Sequence, residues 1–315
     1  MEYIHYKDLK LSRFCMGGCP MGGYGWGDTQ ESDFVEAIHE ALDCGVTFFD
    51  TANTYGFGQS EETLAKGLGS RRNDVVIQSK FGVRVMQDMI GRKTIYDNSP
   101  DYIRKALEGT LKRLNSDYID IYTIHYRDKE TPLDDVISIL ERLREEGKVR
   151  YFGISNIHRD TLQEFLPYPD LFATCQDEFS LACRKNEADL NIIREKLGAL
   201  PMTWGSLGQG ILTGKYDASV SFGDNDRRKR DVYVNFHGEK LKKNLQIVDA
   251  MRPIATAHHK SCAAVAIRFI LDYLPDSIVT AGVKNIGQMK SNLEGLDWHL
   301  AKEELQALDS ISREE

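Results

Sequence analysis

Short apolar runs rich in β-branched and aromatic residues recur along the chain, each followed by a longer stretch with helical spacing. They are Phe14-Cys15-Met16, Val46 to Phe49, Val75-Val76-Ile77, Ile119 to Ile124, Val149 to Ile154, Phe172 to Cys175, Leu200 to Thr203 and Ile278-Val279. Apolar positions in them are mostly continuous rather than alternating, as in strands buried on both faces of a parallel sheet. Between them, Phe34, Ile38, Ala41 and Leu42 predict a helix opened by Thr29 or Ser32 and stopped at Gly45. Ser99-Pro100 and Thr131-Pro132 each set a capping residue before a proline at the first helical position. The helices they open carry Ile103, Ala106, Leu107 and Leu111, and Val136, Ile139, Leu140 and Leu143.

Strands alternating with helices imply right-handed crossovers, closing either into a (β/α)8 TIM barrel or into a long open sheet. The barrel is the better fit for this α/β pattern. Its usual length of about 250 residues leaves about 65 over. Two stretches absorb them: residues 1–12, which read as an N-terminal β-hairpin, and the polar, turn-rich residues 216–240, an extended loop after strand seven. No proline- or serine-rich linker divides the chain, so residues 1–315 are expected to form a single domain.

Composition narrows the function classes. Hydrophobic residues at 41% and charged residues at 28% permit a globular core. Forty basic against forty-eight acidic residues leave −8, without the basic footprint of a nucleic-acid binder. No run reaches the ~20 apolar residues of a membrane helix, and the N-terminus lacks a signal pattern. Six scattered cysteines suit a reduced, cytoplasmic protein. There is no Gly-x-Gly-x-x-Gly between a strand and a helix, and no metal-ligand spacing. A small-molecule partner is expected; oligomeric state is not legible.

In a barrel, chemistry gathers where strands end. Strand two ends in Asp50, strand three in Gln78-Ser79-Lys80, strand four in His125, strand five in Ser155-Asn156, strand six in Gln176 and strand seven in Trp204. Strand eight ends in Ala281-Gly282-Val283-Lys284, and Gly17-Gly18 follows strand one. Singly, such residues are caps, solvated lysines or packed aromatics. Jointly they converge on one mouth.

Phe49-Asp50-Thr51-Ala52-Asn53-Thr54-Tyr55-Gly56, Gln78-Ser79-Lys80, Ile124-His125 and Gly153-Ile154-Ser155-Asn156 resemble the aldo-keto reductase family in order and spacing. So do Leu207 to Lys215, and Gly282-Val283-Lys284-Asn285 with Gln288 and Asn292. The resemblance runs from about residue 8 to 310 and looks closest to the bacterial and potassium-channel β-subunit branch. It implies hydride transfer between a nicotinamide and a carbonyl or alcohol carbon. The departures are Tyr126-Arg127-Asp128 for a frequent Trp-Pro-Asp, Gly205-Ser206 for Ser-Pro, Ala281 for Pro and Ser291 for Glu.

By that resemblance Asp50, Tyr55, Lys80 and His125 are catalytic. Hydride reaching a carbonyl carbon leaves charge on oxygen, which needs a proton donor and preorganised stabilisation. Tyr55 is the expected donor, with Lys80 lowering its pKa, Asp50 pairing Lys80, and His125 orienting the substrate oxygen. Ser155, Asn156 and Gln176 match contacts to the nicotinamide carboxamide, and Trp204 the aromatic stacked on the ring. Gly17, Gly18, Asp50, Ser206, Leu207, Gly208, Gly210 and Lys215 complete the nicotinamide and pyrophosphate side. Gly282, Lys284, Gln288 and Asn292 match the adenosine end, where Lys284 facing a 2′-phosphate favours NADP(H), with NAD(H) the alternative. Arg227–Arg230 reads as a clamp on the same phosphate or as a solvated run. Tyr24, Trp26, Phe57 and Tyr126 are substrate-wall candidates for a carbonyl or sugar, and Arg127 is either an anion contact or a rim residue paired with Asp128. The alternatives are a slow-turnover, cofactor-binding redox-sensing subunit, a barrel without cofactor binding, and a Schiff-base aldolase using Lys80, which an adjacent Asp50 would oppose.

Overall fold

The computed structural model describes residues 1–88 and 91–313. β1 (Tyr3–Tyr6) and β2 (Leu9–Ser12) form an antiparallel hairpin. β3 (Phe14–Gly17), β4 (Phe48–Asp50) and β5 (Val76–Phe81) are parallel neighbours. A second antiparallel hairpin follows, β6 (Val83–Asp88) and β7 (Gly91–Tyr96). Five more parallel strands complete the set: β8 (Ile119–Ile124), β9 (Val149–Ser155), β10 (Phe172–Glu178), β11 (Leu200–Trp204) and β12 (Ile278–Gly282). β12 pairs with β3, closing an eight-stranded barrel. Each apolar run named above supplies one of its strands.

The helices are α1 (Glu31–Asp43), α2 (Gln59–Leu68), α3 (Pro100–Leu114), α4 (Leu133–Glu145), α5 (Arg159–Phe165) and α6 (Glu187–Leu197). Then come α7 (Gly238–Ala257), α8 (Cys262–Tyr273), α9 (Ile286–Leu293) and α10 (Lys302–Ser312). Ser99 caps α3, its hydroxyl accepting from the Tyr102 N–H at 3.4 Å. The other two caps differ from expectation. α1 starts at Glu31, so Gln30 occupies the cap position and neither Thr29 nor Ser32 serves. Thr131 is drawn off α4 by a carboxylate, its hydroxyl donating to Asp128 Oδ2 at 2.7 Å, and Pro132 holds the cap position.

The β6–β7 hairpin was not among the expected elements. Its first strand, Val83-Arg84-Val85-Met86-Gln87-Asp88, interleaves apolar with polar residues and offers no continuous run. The loop after β11 is as long as expected, reaching α7 through short 3₁₀ turns at Gly208–Thr213, Arg227–Lys229 and Val234–Phe236.

Successive side chains of a strand point to opposite faces, so a barrel has an outward and an inward set. Phe14, Met16, Phe49, Ile77 and Ile124 pack outward into the cluster that includes Ile38, Leu64, Leu107 and Val136 of the helices. Cys15, Phe48, Val76, Ile121, Met202 and Ile278 form a separate interior cluster, which Leu9 and Leu11 of the hairpin plug from below. Two residues further along, the same inward parity gives Asp50 after Phe48, Gln78 and then Lys80 after Val76, and Thr123 and then His125 after Ile121. The interior therefore runs from a dry, plugged floor to a polar mouth.

Leu11→Ala is expected to cost about 2–5 kcal/mol, because its fully buried side chain leaves a cavity in the floor. Urea unfolding measures the loss, and turnover of the folded protein should not change, since the floor lies opposite the mouth.

Candidate active site

Lys80 and Asp50 are both inward residues near the ends of adjacent strands, and they meet. Lys80 Nζ donates to Asp50 Oδ1 at 2.5 Å, to the Thr51 carbonyl at 2.9 Å and to the Tyr55 hydroxyl at 3.4 Å. Lys80 is 1% and Asp50 3% exposed. A buried ion pair survives only when its remaining hydrogen-bonding capacity is satisfied. Gln78 supplies that support, donating from Nε2 to Asp50 Oδ1 at 2.9 Å and accepting from Thr174 Oγ1 at 2.8 Å across the barrel. It shares the parity of Lys80, a signal that could have singled it out. Three oxygens surround the Lys80 nitrogen, which engages it in the ion pair with Asp50 rather than leaving it free for a Schiff base.

Tyr55 comes from the loop after β4, where Gly56 has φ 63°. A Cβ on Gly56 would lie 2.1 Å from the Gly22 carbonyl oxygen, so the loops after β3 and β4 touch backbone to backbone. Glycine alone fits there, and the contact holds the tyrosine in place. The His125 ring meets Tyr55 edge-on at 6.1 Å and stacks on Tyr126 at 5.1 Å. Asn156, in the left-handed region at φ 56°, donates from Nδ2 to the His125 carbonyl at 3.0 Å. The four expected catalytic residues thus converge.

Burial, and then the nearby charge of Lys80, push His125 down to about 3. It is neutral at ordinary pH. The Tyr55 phenol is raised well above its usual value, by burial first and then by the Asp50 carboxylate, with Arg227 opposing. This corrects the expectation that Lys80 lowers it: Asp50 at 2.5 Å balances the ammonium, leaving desolvation to dominate. Tyr55 is held as a protonated acid.

A cavity of about 640 Å³ opens above this group, with Asp50, Tyr55 and His125 on its wall. Ser155, Asn156, Gln176 and Trp204 line it from the ends of β9, β10 and β11, and Gly17 and Gly282 from the β3–β12 seam. Ser206, Leu207, Gly210 and Lys215 contribute from the loop after β11, and Lys284, Gln288 and Asn292 from around α9. Two expected glycines lie outside it. A Cβ on Gly18 would sit 2.5 Å from Ser60 Oγ, and one on Gly208 would face Ile211 and Ala182, so both glycines serve packing.

Of the substrate-wall candidates, Trp26 and Tyr126 line the cavity. Tyr24 and Phe57 do not: at 48% and 43% exposure they stand on its outside, carried outward by loops whose glycines turn the chain. Arg127 is also excluded. It is buried against Glu164 at 3.1 Å, Asn98 at 2.8 Å and the Thr131 carbonyl at 2.8 Å. Conversely, Cys19 and Tyr233 line the cavity without having been expected there, and Arg227 and Arg228, expected either as a phosphate clamp or as a solvated run, line it as well. The arginine run is half inward rather than solvated: Arg228 is 7% exposed and pairs with Asp226 at 2.5 Å, whereas Lys229 and Arg230 are exposed.

A strap crosses the cavity. Trp26 bridges Asp226, the Arg227 N–H donates to the Gly25 carbonyl at 3.1 Å, and the Lys284 ammonium donates to the Trp26 carbonyl. The lining fits a nicotinamide dinucleotide. Gln176 Nε2, Trp204 Nε1 and Asn292 Nδ2 are buried donors without hydrogen-bond partners among the described residues. Lys215, Arg228 and Lys284 crowd together closely enough that burial and the two other cations lower the pKa of Lys284. The unpaired Gln176 amide at the end of β10 and the clustered cations further along suit a carboxamide and a chain of phosphates.

Comparison with known proteins agrees. The aldo/keto reductase family model matches residues 13–313. The chain is 31% identical over 316 residues to aldo-keto reductase YhdN of Bacillus subtilis, covering 99% of this chain and 93% of that one. It is 29% identical to the NADH-specific methylglyoxal reductase of Escherichia coli, over 96% of this chain and 97% of that one. The solved structure of glycerol dehydrogenase AKR11B4 from Gluconobacter oxydans superposes with a TM-score of 0.88 at 33% identity, covering 98% of this chain and 94% of that one. A closed barrel, a lysine-linked tyrosine at its mouth and a family match over nearly the whole length lead to one conclusion: the chain belongs to the aldo-keto reductase family.

Proposed function

We propose that this protein is an NAD(P)(H)-dependent oxidoreductase interconverting a small aldehyde, ketone or sugar carbonyl with its alcohol. Tyr55 is the general acid in reduction and the general base in oxidation. The observation that carries the reading is the single ammonium of Lys80 joining Asp50 at 2.5 Å and Tyr55 at 3.4 Å beside a cavity faced by His125. The relatives this chain matches over nearly their whole length are named as reductases and a dehydrogenase, which favours turnover over a slow redox-sensing role.

The bound nicotinamide supplies or accepts the hydride. Ser155, Asn156 and Gln176 would hold its carboxamide, Trp204 its ring, and Lys215, Arg228 and Lys284 its phosphates. In reduction the proton leaves Tyr55 Oη for the substrate oxygen, and Lys80, already donating to Oη, stabilises the phenolate that forms. Neutral His125 orients the same oxygen by hydrogen bonding. In oxidation the proton moves the other way. The triple cluster of cations supports a preference for NADP(H). No helix among the described residues is long and apolar enough to cross a membrane, and we place the enzyme in the cytoplasm as a single-domain barrel.

Tyr55→Phe should lower kcat by about 10²–10⁴ with the cofactor Kd nearly unchanged, and Lys80→Met should be comparably severe. Steady-state kinetics and fluorescence titration check both; a Lys80→Met effect confined to KM would sink the electrostatic role. Lys284→Met should weaken NADPH binding about tenfold or more while leaving NADH nearly unaffected, as measured by the same titration.

The pH dependence follows from the two shifted groups. His125, lowered to about 3, stays neutral and Tyr55 stays protonated, so kcat/KM for reduction should be level from about pH 5 to pH 9. Oxidation needs the phenolate and should climb about tenfold per pH unit on the alkaline side. Between pH 3 and 6.5 the unfolded chain binds a proton at His125 that the folded protein does not. That contribution lowers stability as the pH falls through this window. A break in reduction near the ordinary histidine pKa that disappears in His125→Asn would contradict the neutral imidazole.

A further inference from the structure

The buried cations near the site have their charges answered. Lys80 has Asp50 at 2.5 Å. Arg228 has Asp226 at 2.5 Å, the Tyr216 hydroxyl at 2.8 Å and the Gln209 carbonyl at 3.2 Å. Arg227 is different. It lines the same cavity as Tyr55 and His125, and among the described residues no carboxylate lies within ion-pair distance of it. Its Nη2 donates to Cys19 Sγ at 3.1 Å, Nε is buried without a partner, and Nη1 makes no hydrogen bond to a described residue.

The guanidinium is nevertheless held. Its central carbon lies 4.5 Å from the centroid of the Trp26 ring and 5.7 Å from that of Tyr233, and its backbone N–H is tied to the Gly25 carbonyl at 3.1 Å. Two aromatic faces and a tethered backbone limit the rotamers it can visit, so little freedom remains to be lost when a ligand binds. Arg227 is half-buried, and a cation partly withdrawn from water with no counter-charge gains from any anion that reaches it. The hydrogen bond to Cys19 ties Arg227 to the Cys19–Gly22 turn, which packs backbone to backbone against Tyr55 and Gly56, so it stands on the Tyr55 side of the cavity.

We propose that Arg227 is a specificity residue that receives a carboxylate carried by the carbonyl substrate, making this enzyme selective for oxo acids over their neutral counterparts. A single planar fork matches a carboxylate bidentately. A phosphate dianion would call for further cations, yet Lys229 and Arg230 are exposed and Arg228 groups with Lys215 and Lys284 at the cofactor's phosphate end. The proposal rests on the carbonyl-reducing function put forward above.

The test uses the full chain with NADPH and two aldehydes alike except in charge, 4-formylbenzoate and its methyl ester. An aliphatic pair, 4-oxobutanoate and its methyl ester, covers a shorter reach. Wild type should favour the anion in at least one pair. In Arg227→Gln the anion-to-ester ratio of kcat/KM should fall about 10- to 100-fold, mainly through KM, with the NADPH Kd held. Arg227→Lys should restore part of the ratio as a point charge. Turnover without charge preference in either pair would overturn the proposal and leave the carbonyl reading intact. A fall in NADPH affinity matching the loss of turnover would assign Arg227 to the cofactor and overturn it too. No turnover of any of the four aldehydes by wild type would sink both readings.

Discussion

The ion pair between Lys80 and Asp50 is the constraint around which the mouth of the barrel is arranged. Two opposite charges almost wholly removed from water are stabilising only if every remaining donor and acceptor is met. The Thr51 carbonyl, the Tyr55 hydroxyl and the Gln78 amide meet them, and Gln78 is in turn anchored to Thr174 on the far wall. This chain of hydrogen bonds crosses the barrel just above its apolar interior. Strand parity makes it possible: the alternation that puts Val76 in the dry floor puts Gln78 and Lys80 one and two layers higher on the same face.

The pair also sets the protonation states around it. Because the ammonium is balanced locally, it projects little net positive charge onto Tyr55, and burial keeps the phenol protonated. The same burial strips His125 of its proton. An acid that keeps its proton and an imidazole that stays neutral form a site for delivering a proton to an oxygen that becomes negative during the reaction. In the proposed mechanism Lys80 matters most after the proton has left, when its hydrogen bond to Oη meets a full negative charge in place of a dipole.

Much of this was legible in the sequence, and for a physical reason. Barrel strands buried on both faces appear as continuous apolar runs, and each run ends where the chain reaches the mouth. Polar residues such as Asp50, Lys80, His125 and Gln176 therefore mark the site by position alone. The resemblance to aldo-keto reductases added their roles. What escaped notice depends on contacts between loops. The β6–β7 hairpin has no apolar run to announce it. Thr131 looks like a helix cap until Asp128 captures its hydroxyl. Tyr24 and Phe57 look like pocket aromatics until turns at Gly23 and Gly56, both with positive φ, carry the chain outward. The arginines at 227 and 228 read as a phosphate clamp or a surface run, with nothing to choose between the two, because no local pattern reveals Trp26, Tyr233 and Asp226, the groups that draw them in.

That division has a functional counterpart. The groups expected to carry the chemistry stand at or just beyond strand ends, where the barrel's hydrogen bonds hold them rigidly. Tyr55 is the exception, sitting in a loop. Its loop is held by backbone contact between Gly22 and Gly56 so close that no side chain fits, which gives a loop residue the precision of a strand residue. Arg227 has no such clamp. It depends on two aromatic faces and on the bridge between Trp26 and Asp226, a tie between two loops rather than between strands. On the proposed reading, the barrel sets what reaction can occur, and the paired loops above it set which molecule is admitted. Substitutions in those loops can change the second without disturbing the first.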